Sequence, residues 1–221
     1  GLLRSLKDTS CLKGTPPSER RVAIRISPFD WQHRGQPRPE DRTSRPATGS
    51  QTWERCPTGV QTACDPDAWK HGGGSIWMTG SYDPQLNLTY WGIGNVGPDY
   101  NGAQRPGDNL YTDSVVALDP DTGKLKWYFQ NIRHELWDYN LPPAPGLIDI
   151  KKDGKTIPAL AQVGKSGFMF ILDRTNGTPV HGVDEKPMAK ADVPGEWYPA
   201  TQPIPKKPGP IARVSMTAAD L

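Results

Sequence analysis

The sequence predicts an all-β fold, and three of its features support this prediction. From about residue 65 onward, short runs of alternating or β-branched residues are separated by turn-forming residues. The 221 residues include 23 Gly and 24 Pro, which leaves little room for long helices. One strand-and-turn pattern also occurs twice, which is typical of repeat proteins built from β-strands.

The predicted strands follow one another along the second part of the chain. Each alternates or is rich in β-branched and aromatic residues, and the turns between them contain Asp, Pro, Asn and Gly. A helical signal is weak and confined to Thr217–Leu221. The predicted strands are Ser75–Tyr82, Leu88–Gly92, Ser114–Leu118, Leu125–Gln130, Ala159–Val163 and Phe168–Leu172.

The repeated pattern is a strand that ends in Asp and is followed by a turn containing Gly. It occurs in Val115–Phe129 (VVALDPDTGKLKWYF) and in Phe168–Val180 (FMFILDRTNGTPV). The Asp can accept backbone N–H groups, the Gly supplies a positive φ, and Trp127 can dock between sheets. Repeats about 40–50 residues apart favour the blades of a β-propeller. Such turns also occur in other β proteins, so the hairpin alone leaves the architecture open.

Composition and charge exclude several classes of function. The formal net charge is +2 and the basic residues are scattered, so a nucleic-acid partner is not expected. Apolar runs such as Phe168–Leu172 are much shorter than the roughly 20 residues of a membrane-spanning helix, so no transmembrane segment is expected. The first residues lack the pattern of a signal peptide. The three cysteines, Cys11, Cys56 and Cys64, predict neither a disulfide framework nor a zinc site.

The chain divides at about residue 65 into two segments of different composition. All three cysteines lie before this point, and all seven tyrosines lie after it. Residues 1–64 are rich in Arg and Pro and lack periodicity, which predicts a weakly basic, disordered segment of low order. An abrupt change of this kind is also produced by out-of-frame translation, so an aberrant segment is the second interpretation. Residues 65–221 are predicted to form the β-rich domain.

The second part of the chain resembles a known family. The segment Ala117–Trp127 (ALDPDTGKLKW) resembles the tryptophan-docking motif of quinoprotein dehydrogenases, which are eight-bladed β-propellers that use pyrroloquinoline quinone (PQQ). The resemblance implies a partial β-propeller of a few blades, an internal fragment of the complete protein. Four further segments resemble, in order, those that build the family's cofactor site: Trp69–Trp77 (WKHGGGSIW), Tyr82–Asn95 (YDPQLNLTYWGIGN), His134–Asn140 (HELWDYN) and Gly164–Gly177 (GKSGFMFILDRTNG).

The resemblance implies three residues that bind the quinone. Trp77 would be the aromatic floor under the flat ring system, Ser75 a hydroxyl donor to a cofactor carboxylate, and Lys165 a cation beside the quinone oxygens. Considered by themselves, a Trp after glycines is commonly a core ring and most lysines are solvated. His134 and Glu135 are expected as rim or substrate contacts.

The resemblance also implies a catalytic base and a metal site. Asp138, in its Trp-Asp-Tyr setting, would be the general base and a metal ligand, and Asn95 would bind the metal through its side-chain oxygen. Oxygen ligands suit calcium. Lanthanide-using relatives have a second Asp where this chain has Asn140, so calcium is favoured. Without the resemblance, Asp138 and Asn95 would be interpreted as turn-formers.

Residues 92–97 also fit the glycine pattern of dinucleotide-binding sites, G-x-G-x-x-G. That site needs a helix that begins in the glycine loop and directs its N-terminus at the pyrophosphate. The turn-rich segment Pro98–Gly102 follows instead, so we interpret the match as accidental.

The implied function is that of a PQQ- and calcium-dependent dehydrogenase. It would oxidise an alcohol, sugar or polyol hydroxyl in the periplasm and pass electrons to cytochrome c or ubiquinone. The substrate stays open, because Val193–Trp197 resembles the glucose and polyol group and Trp69–Trp127 the alcohol group. The alternative is a non-catalytic β-propeller that serves as a binding scaffold. Such a scaffold would not need a base, a cation, a metal oxygen and a stacking ring together.

Two parts of the family's site have no counterpart in the sequence. Residues 1–64 contain no segment similar to the earlier blade that supplies a Glu metal ligand, and no two cysteines are adjacent. A few blades without their neighbours also leave open sheet edges. The chain is therefore expected to fold poorly alone and to show little or no quinone-dependent activity.

Overall fold

The computed structural model describes residues 74–103 and 105–220, which form three antiparallel β-sheets. The strand orders are β1-β2-β3-β4, β5-β6-β7 and β8-β9. Within these residues there is no α-helix, only a 3-10 turn at Ala218–Asp220. The strands are β1 Ser81–Asp83, β2 Leu88–Gly92, β3 Ser114–Leu118, β4 Leu125–Gln130, β5 Gly146–Lys152, β6 Lys155–Val163, β7 Met169–Asp173, β8 Val183–Pro187 and β9 Thr201–Pro205.

The first sheet is buried on both faces at its centre. All five residues of β3 are buried. Because side chains alternate across a strand, the four apolar residues divide between two apolar clusters. Val115 and Ala117 belong to the cluster that includes residues of β6 and β7 in the second sheet. Val116 and Leu118 belong to a cluster on the opposite face. The strand β3 is therefore the centre of the described fold.

Trp127 joins the first sheet to the second. It lies in β4, and its indole Nε1 donates a hydrogen bond to the backbone oxygen of Arg174, at 2.9 Å, in the turn after β7. The hydroxyl of Tyr90 in β2 donates to the same oxygen at 3.1 Å. The indole ring also lies against Gly177, where a Cβ would be 2.5 Å from the ring. The tryptophan of one repeat thus docks on the turn of the next, as the sequence predicts.

Arg174 adds charge to the same junction. Its guanidinium forms ion pairs with Asp83 at the end of β1, at 3.1 Å, and with Asp149 in β5, at 2.8 Å. Arg174 and Asp83 are both buried. Because a buried charge is costly unless it is paired, these contacts hold the two sheets in one relative position.

The third sheet is attached through Arg133, which follows β4. Its guanidinium contacts the carboxylate of Glu185 in β8 at 2.6 and 2.9 Å. Gln202 in β9 accepts from the backbone N–H of Arg133 at 2.9 Å and donates to its backbone oxygen at 2.6 Å. These contacts place β8 and β9 beside the loop that follows β4.

The structure confirms the all-β prediction and the bounds of β2, β3 and β4. The predicted strand Ser75–Tyr82 is a strand only at its end, because the backbone oxygen of Ser75 bonds to Gly94 N instead of a sheet partner. Strands β5, β8 and β9 were not predicted. Their charged, exposed or proline-containing sequences show no apolar alternation.

The predicted boundary at residue 65 and the predicted low order of residues 1–64 lie outside the described residues. The glycine pattern at residues 92–97 is not followed by a helix, which agrees with its interpretation as accidental. Across the described residues, no helix has the length and apolar character needed to cross a membrane.

Alanine at Gly177 should destabilise the fold more than alanine at Gly123. Both glycines have positive φ values, +78° and +68°, so both substitutions carry a similar backbone cost. Nothing lies within 4 Å of the added methyl group at Gly123, whereas at Gly177 it meets the Trp127 ring. Overpacking should cost Gly177→Ala a further 1–3 kcal/mol or so. Urea unfolding of the two variants of the full-length protein measures this difference, and equal losses would contradict the docking.

Candidate active site

Four segments bring the predicted site residues to one end of the first two sheets. They are the loop before β1, the loop after β2, the loop between β4 and β5, and the turn between β6 and β7. Strands β2 and β4 each pair antiparallel with β3, so they run in the same direction and their carboxyl ends lie at the same end of the sheet. The β6–β7 turn of the second sheet lies at this end too, since its Lys165 contacts Asp138.

Trp77 and Ser75 pack against Gly94 in the loop after β2. A Cβ at Gly94 would lie 3.1 Å from Trp77 Cδ1 and 3.3 Å from Ser75 Oγ, so glycine permits the close approach. The Gly94 N–H donates to the backbone oxygen of Ser75 at 2.8 Å. Trp77 is 48% exposed, so its ring has an open surface and is not a core side chain.

The side-chain amide of Asn140 connects Asn95 and Asp138. Its Nδ2 donates to Asn95 Oδ1 at 3.2 Å and to Asp138 Oδ1 at 3.0 Å. Asn95 is oriented by its own Nδ2, which donates to Asp99 Oδ1 at 2.8 Å and leaves its oxygen directed at Asn140. Two oxygen atoms from separate loops therefore converge on one point.

Lys165 forms an ion pair with Asp138. Its Nζ lies 2.7 Å from Asp138 Oδ2, on the side of the carboxylate that Asn140 does not contact. The β6–β7 turn that carries Lys165 closes through a 3.1 Å hydrogen bond from Gly167 N to Gly164 O. The Lys165 N–H also donates to the backbone oxygen of Asn140 at 3.1 Å. The turn is thus held against the loop that contains Asp138.

The loop 134–140 has an unusual backbone that Glu135 supports. His134 and Asp138 have positive φ values of 47° and 60°, which are uncommon for residues other than glycine. One carboxylate oxygen of Glu135 accepts the backbone N–H groups of Trp137 and Tyr139. Both His134 and Glu135 are buried. Their burial disagrees with a position at the rim of the site, and contact with a substrate stays a prediction for both residues.

Two buried acids lie near Asp138. Burial raises the pKa of Asp113 well above its usual range, and the neighbouring Glu135 carboxylate raises it further. Burial also raises the pKa of Glu135, although the N–H groups of Tyr139 and Trp137 oppose the shift. The guanidinium of Arg105 opposes both shifts. The surroundings of Asp113 and Glu135 thus disfavour the negatively charged form of both side chains.

The chemical types of the residues present suit a flat aromatic cofactor and a hard cation. Gly94 leaves room beside the open Trp77 ring, where a side chain would intrude. Asn95 Oδ1 and Asp138 Oδ1 are an amide and a carboxylate oxygen, the donors that calcium prefers, but calcium takes about 6–8 of them. Among the described residues, no group of three or more His, Cys, Asp or Glu side chains could hold a metal ion. The two oxygens would therefore be part of a larger ligand set.

The structure brings the five predicted site residues together, while the roles predicted for them remain predictions. Sequence reasoning missed two further residues, Asn140 as the bridge and Glu135 as the support of the loop. Glu135 precedes by two and four residues the backbone N–H groups from which it accepts hydrogen bonds. This spacing is a weak signal in the sequence, because acidic side chains form local contacts in many loops. The five residues are Ser75, Trp77, Asn95, Asp138 and Lys165.

Residues 13–221 match the family described as "PQQ: Glucose/ethanol/alcohol dehydrogenase, beta-propeller domain". The chain is 38% identical over 157 residues to the quinate/shikimate dehydrogenase (quinone) of Acinetobacter baylyi, covering 70% of this chain and 19% of the relative. It is 39% identical over 130 residues to the quinoprotein glucose dehydrogenase of Gluconobacter oxydans, covering 58% of this chain and 16% of the relative.

A solved structure shows the same architecture. The crystal structure of the quinohemoprotein alcohol dehydrogenase from Comamonas testosteroni is similar with a TM-score of 0.51 and 38% sequence identity, covering 64% of this chain and 21% of that chain. The prediction of a partial β-propeller is thereby confirmed. The chain spans about a fifth of the length of the relatives that it matches.

His134 should make the fold less stable as the pH is lowered from 7.5 to 5.5. Burial lowers the pKa of His134 below 6.5, while its hydrogen bonds to Gly107 and Glu196 oppose the shift. As the pH falls below about 6.5, His134 therefore takes up a proton in the unfolded chain at a higher pH than in the folded protein. This difference in proton binding favours unfolding. His134→Gln should reduce this pH dependence in urea unfolding of the full-length protein. A profile that His134→Gln leaves unchanged would contradict the prediction.

Proposed function

The chain belongs to the PQQ family of glucose, ethanol and alcohol dehydrogenase β-propeller domains, and on this basis we propose that it contributes the quinone site of a dehydrogenase. The enzyme oxidises an alcohol, sugar or polyol hydroxyl. The observation that carries the proposal is the position of Asp138, whose carboxylate lies between the Lys165 ammonium and the Asn140 amide, with the Asn95 oxygen bound to the same amide. A binding scaffold has no need for this arrangement.

Asp138 is the proposed general base. Its side chain is only partly buried, so a substrate hydroxyl can reach it. A carboxylate that removes the hydroxyl proton makes the adjacent C–H a better hydride donor. When bound, PQQ supplies the hydride acceptor, and calcium supplies a Lewis acid that polarises it.

The other residues bind and orient the cofactor and the metal ion. Trp77 offers its exposed ring as a stacking surface, and Ser75 offers a hydroxyl beside it. Lys165 supplies a positive charge that favours a reduced, more anionic quinone. Asn95 and Asp138 supply oxygen ligands, and the neutral Asn140 beside them favours calcium over a trivalent ion. These roles agree with the family membership and with the positions of the side chains.

The activity requires more of the propeller than this chain contains. The chain covers about a fifth of the length of its relatives. The two oxygen donors found among its described residues do not complete a calcium site. We place the complete enzyme in the periplasm, with cytochrome c or ubiquinone as the electron acceptor, in line with the implied family function.

Asp138→Asn in the full-length protein should retain PQQ binding and lose about 10²–10⁴-fold in kcat, the usual contribution of a general base. A dye-linked dehydrogenase assay with PQQ and calcium measures turnover, and quenching of tryptophan fluorescence measures cofactor binding. The 221-residue chain alone should show little or no turnover in the same assay.

Asp184→Asn is the matched control for this experiment. Like Asp138, Asp184 is paired with a lysine, Lys206, at 3.2 Å, but it is exposed and lies in β8. Its substitution should leave kcat unchanged. Full turnover by Asp138→Asn would remove Asp138 from the mechanism.

Asn95→Ala should raise the calcium concentration needed for half-maximal activity by at least tenfold or so, because one oxygen ligand is lost. Chelation with EGTA should abolish wild-type activity, and added calcium should restore it. Asn101→Ala is the control, since Asn101 is exposed and accepts only a local N–H, from Ala103. An Asn95→Ala variant with the wild-type calcium requirement would exclude Asn95 as a ligand.

A further inference from the structure

We propose that Glu135 is a positioning residue for Asp138 and that it acts through the reach of its side chain and not through its charge. The proposal rests on the function proposed above for Asp138. Among the described residues, the Glu135 side chain forms no hydrogen bond with Trp77's ring or with the Lys165 ammonium. Its contacts are to the backbone on both sides of Asp138.

One oxygen of Glu135 holds both neighbours of Asp138. Oε1 accepts the backbone N–H of Trp137 and, at 2.9 Å, that of Tyr139. The backbone is therefore bound to one atom immediately before and immediately after Asp138. A carboxylate oxygen that accepts two N–H groups in this way determines the direction in which the intervening side chain projects.

The loop needs this support because its backbone conformation is costly. Asp138 has a φ of 60°, in the left-handed region that residues with a Cβ seldom adopt. Such conformations persist where the surroundings hold them in place, and they are concentrated at functional sites. The N–H groups of Trp137 and Tyr139 lie outside the strands, so Glu135 supplies an acceptor that a sheet would otherwise provide.

Burial makes the support rigid. Glu135 is fully buried, at 0% exposure, so its side chain cannot swing into solvent. Its backbone is fixed as well, because Arg105 Nη2 donates to the Glu135 backbone oxygen at 2.8 Å. The second carboxylate oxygen, Oε2, has no hydrogen-bond partner among the described residues. The contacts thus use one acceptor atom at a fixed distance, which a neutral amide oxygen can replace.

Two conservative substitutions separate reach from charge in the full-length protein. Glu135→Gln retains the length of the side chain and an acceptor oxygen but loses the charge. Glu135→Asp retains the charge but withdraws the carboxylate by one methylene group. We expect Glu135→Gln to stay within about threefold of the wild-type kcat and Glu135→Asp to lose tenfold or more, since a misplacement of about 1 Å can cost about 10²-fold.

Hydrogen–deuterium exchange provides a measurement that does not depend on turnover. In the protein without added PQQ, Glu135→Asp should speed exchange in the peptide that covers residues 135–140 by about tenfold, and Glu135→Gln should leave it near the wild-type rate. Peptides from β6 and β7 should be unchanged in both variants. A general loss of stability would instead speed exchange throughout the described sheets.

Asp119→Glu is the matched control. Oδ1 of Asp119 also accepts two backbone N–H groups, from Asp121 and Thr122 at 3.0 Å each, in the turn between β3 and β4. This turn lies at the opposite end of the first sheet from the candidate site. Changing the length of the side chain by one methylene group should loosen that turn without changing kcat. A loss of kcat equal to that of Glu135→Asp would overturn the proposal.

Two further outcomes would overturn the proposal. One is an active Glu135→Asp with an impaired Glu135→Gln, which would assign the effect to charge. The other is unchanged exchange of residues 135–140 in Glu135→Asp. If the wild-type protein has no PQQ-dependent turnover, the proposed function fails, and the exchange measurement still decides whether Glu135 holds the loop.

Discussion

The docking of Trp127 on the next repeat is the interaction on which the rest of the structure depends. Its indole N–H and the hydroxyl of Tyr90 both donate to the backbone oxygen of Arg174, and the ring covers Gly177. Burying an indole N–H without an acceptor destabilises the fold. This hydrogen bond therefore defines both the depth and the angle of the docking. The arrangement joins two sheets whose described strands share no backbone hydrogen bonds with each other.

The docking also assembles the candidate site. Asn95 lies in a loop of the first sheet and Asp138 in the loop that joins the two sheets, whereas Lys165 lies in a turn of the second. The 2.7 Å contact between Lys165 and Asp138 therefore depends on the position of one sheet relative to the other. A site at the junction of two blades can combine side chains from loops that are far apart in the chain, and each loop can vary without disturbing the strands.

The site is supported by a layer of buried polar side chains. Arg105 donates to backbone oxygens of Pro98, Asp99 and Glu135, which connects the loop after β2 to the loop that contains Asp138. The contact between His134 and Glu196, at 3.2 Å, adds the segment before β9 to the same network. A buried group that leaves its hydrogen-bond partner is left unsatisfied, which is costly, so these contacts restrict the movement of the loops. Asp138 and Asn95 need such a restricted arrangement for the roles proposed for them, a base and a metal ligand.

The sequence by itself determined the features that arise from local chemistry. The alternation of β2, β3 and β4, the Asp and Gly of the repeated turns, and the docking role of Trp127 follow from neighbours a few residues apart. The family resemblance then indicated Trp77, Asn95, Asp138 and Lys165. The tertiary structure alone decided the bridge from Asn140, the support from Glu135 and the strand pairing of β8 with β9. These depend on backbone groups and burial that are set only when separate segments pack together, and a charged or proline-rich segment carries no local signal of that packing.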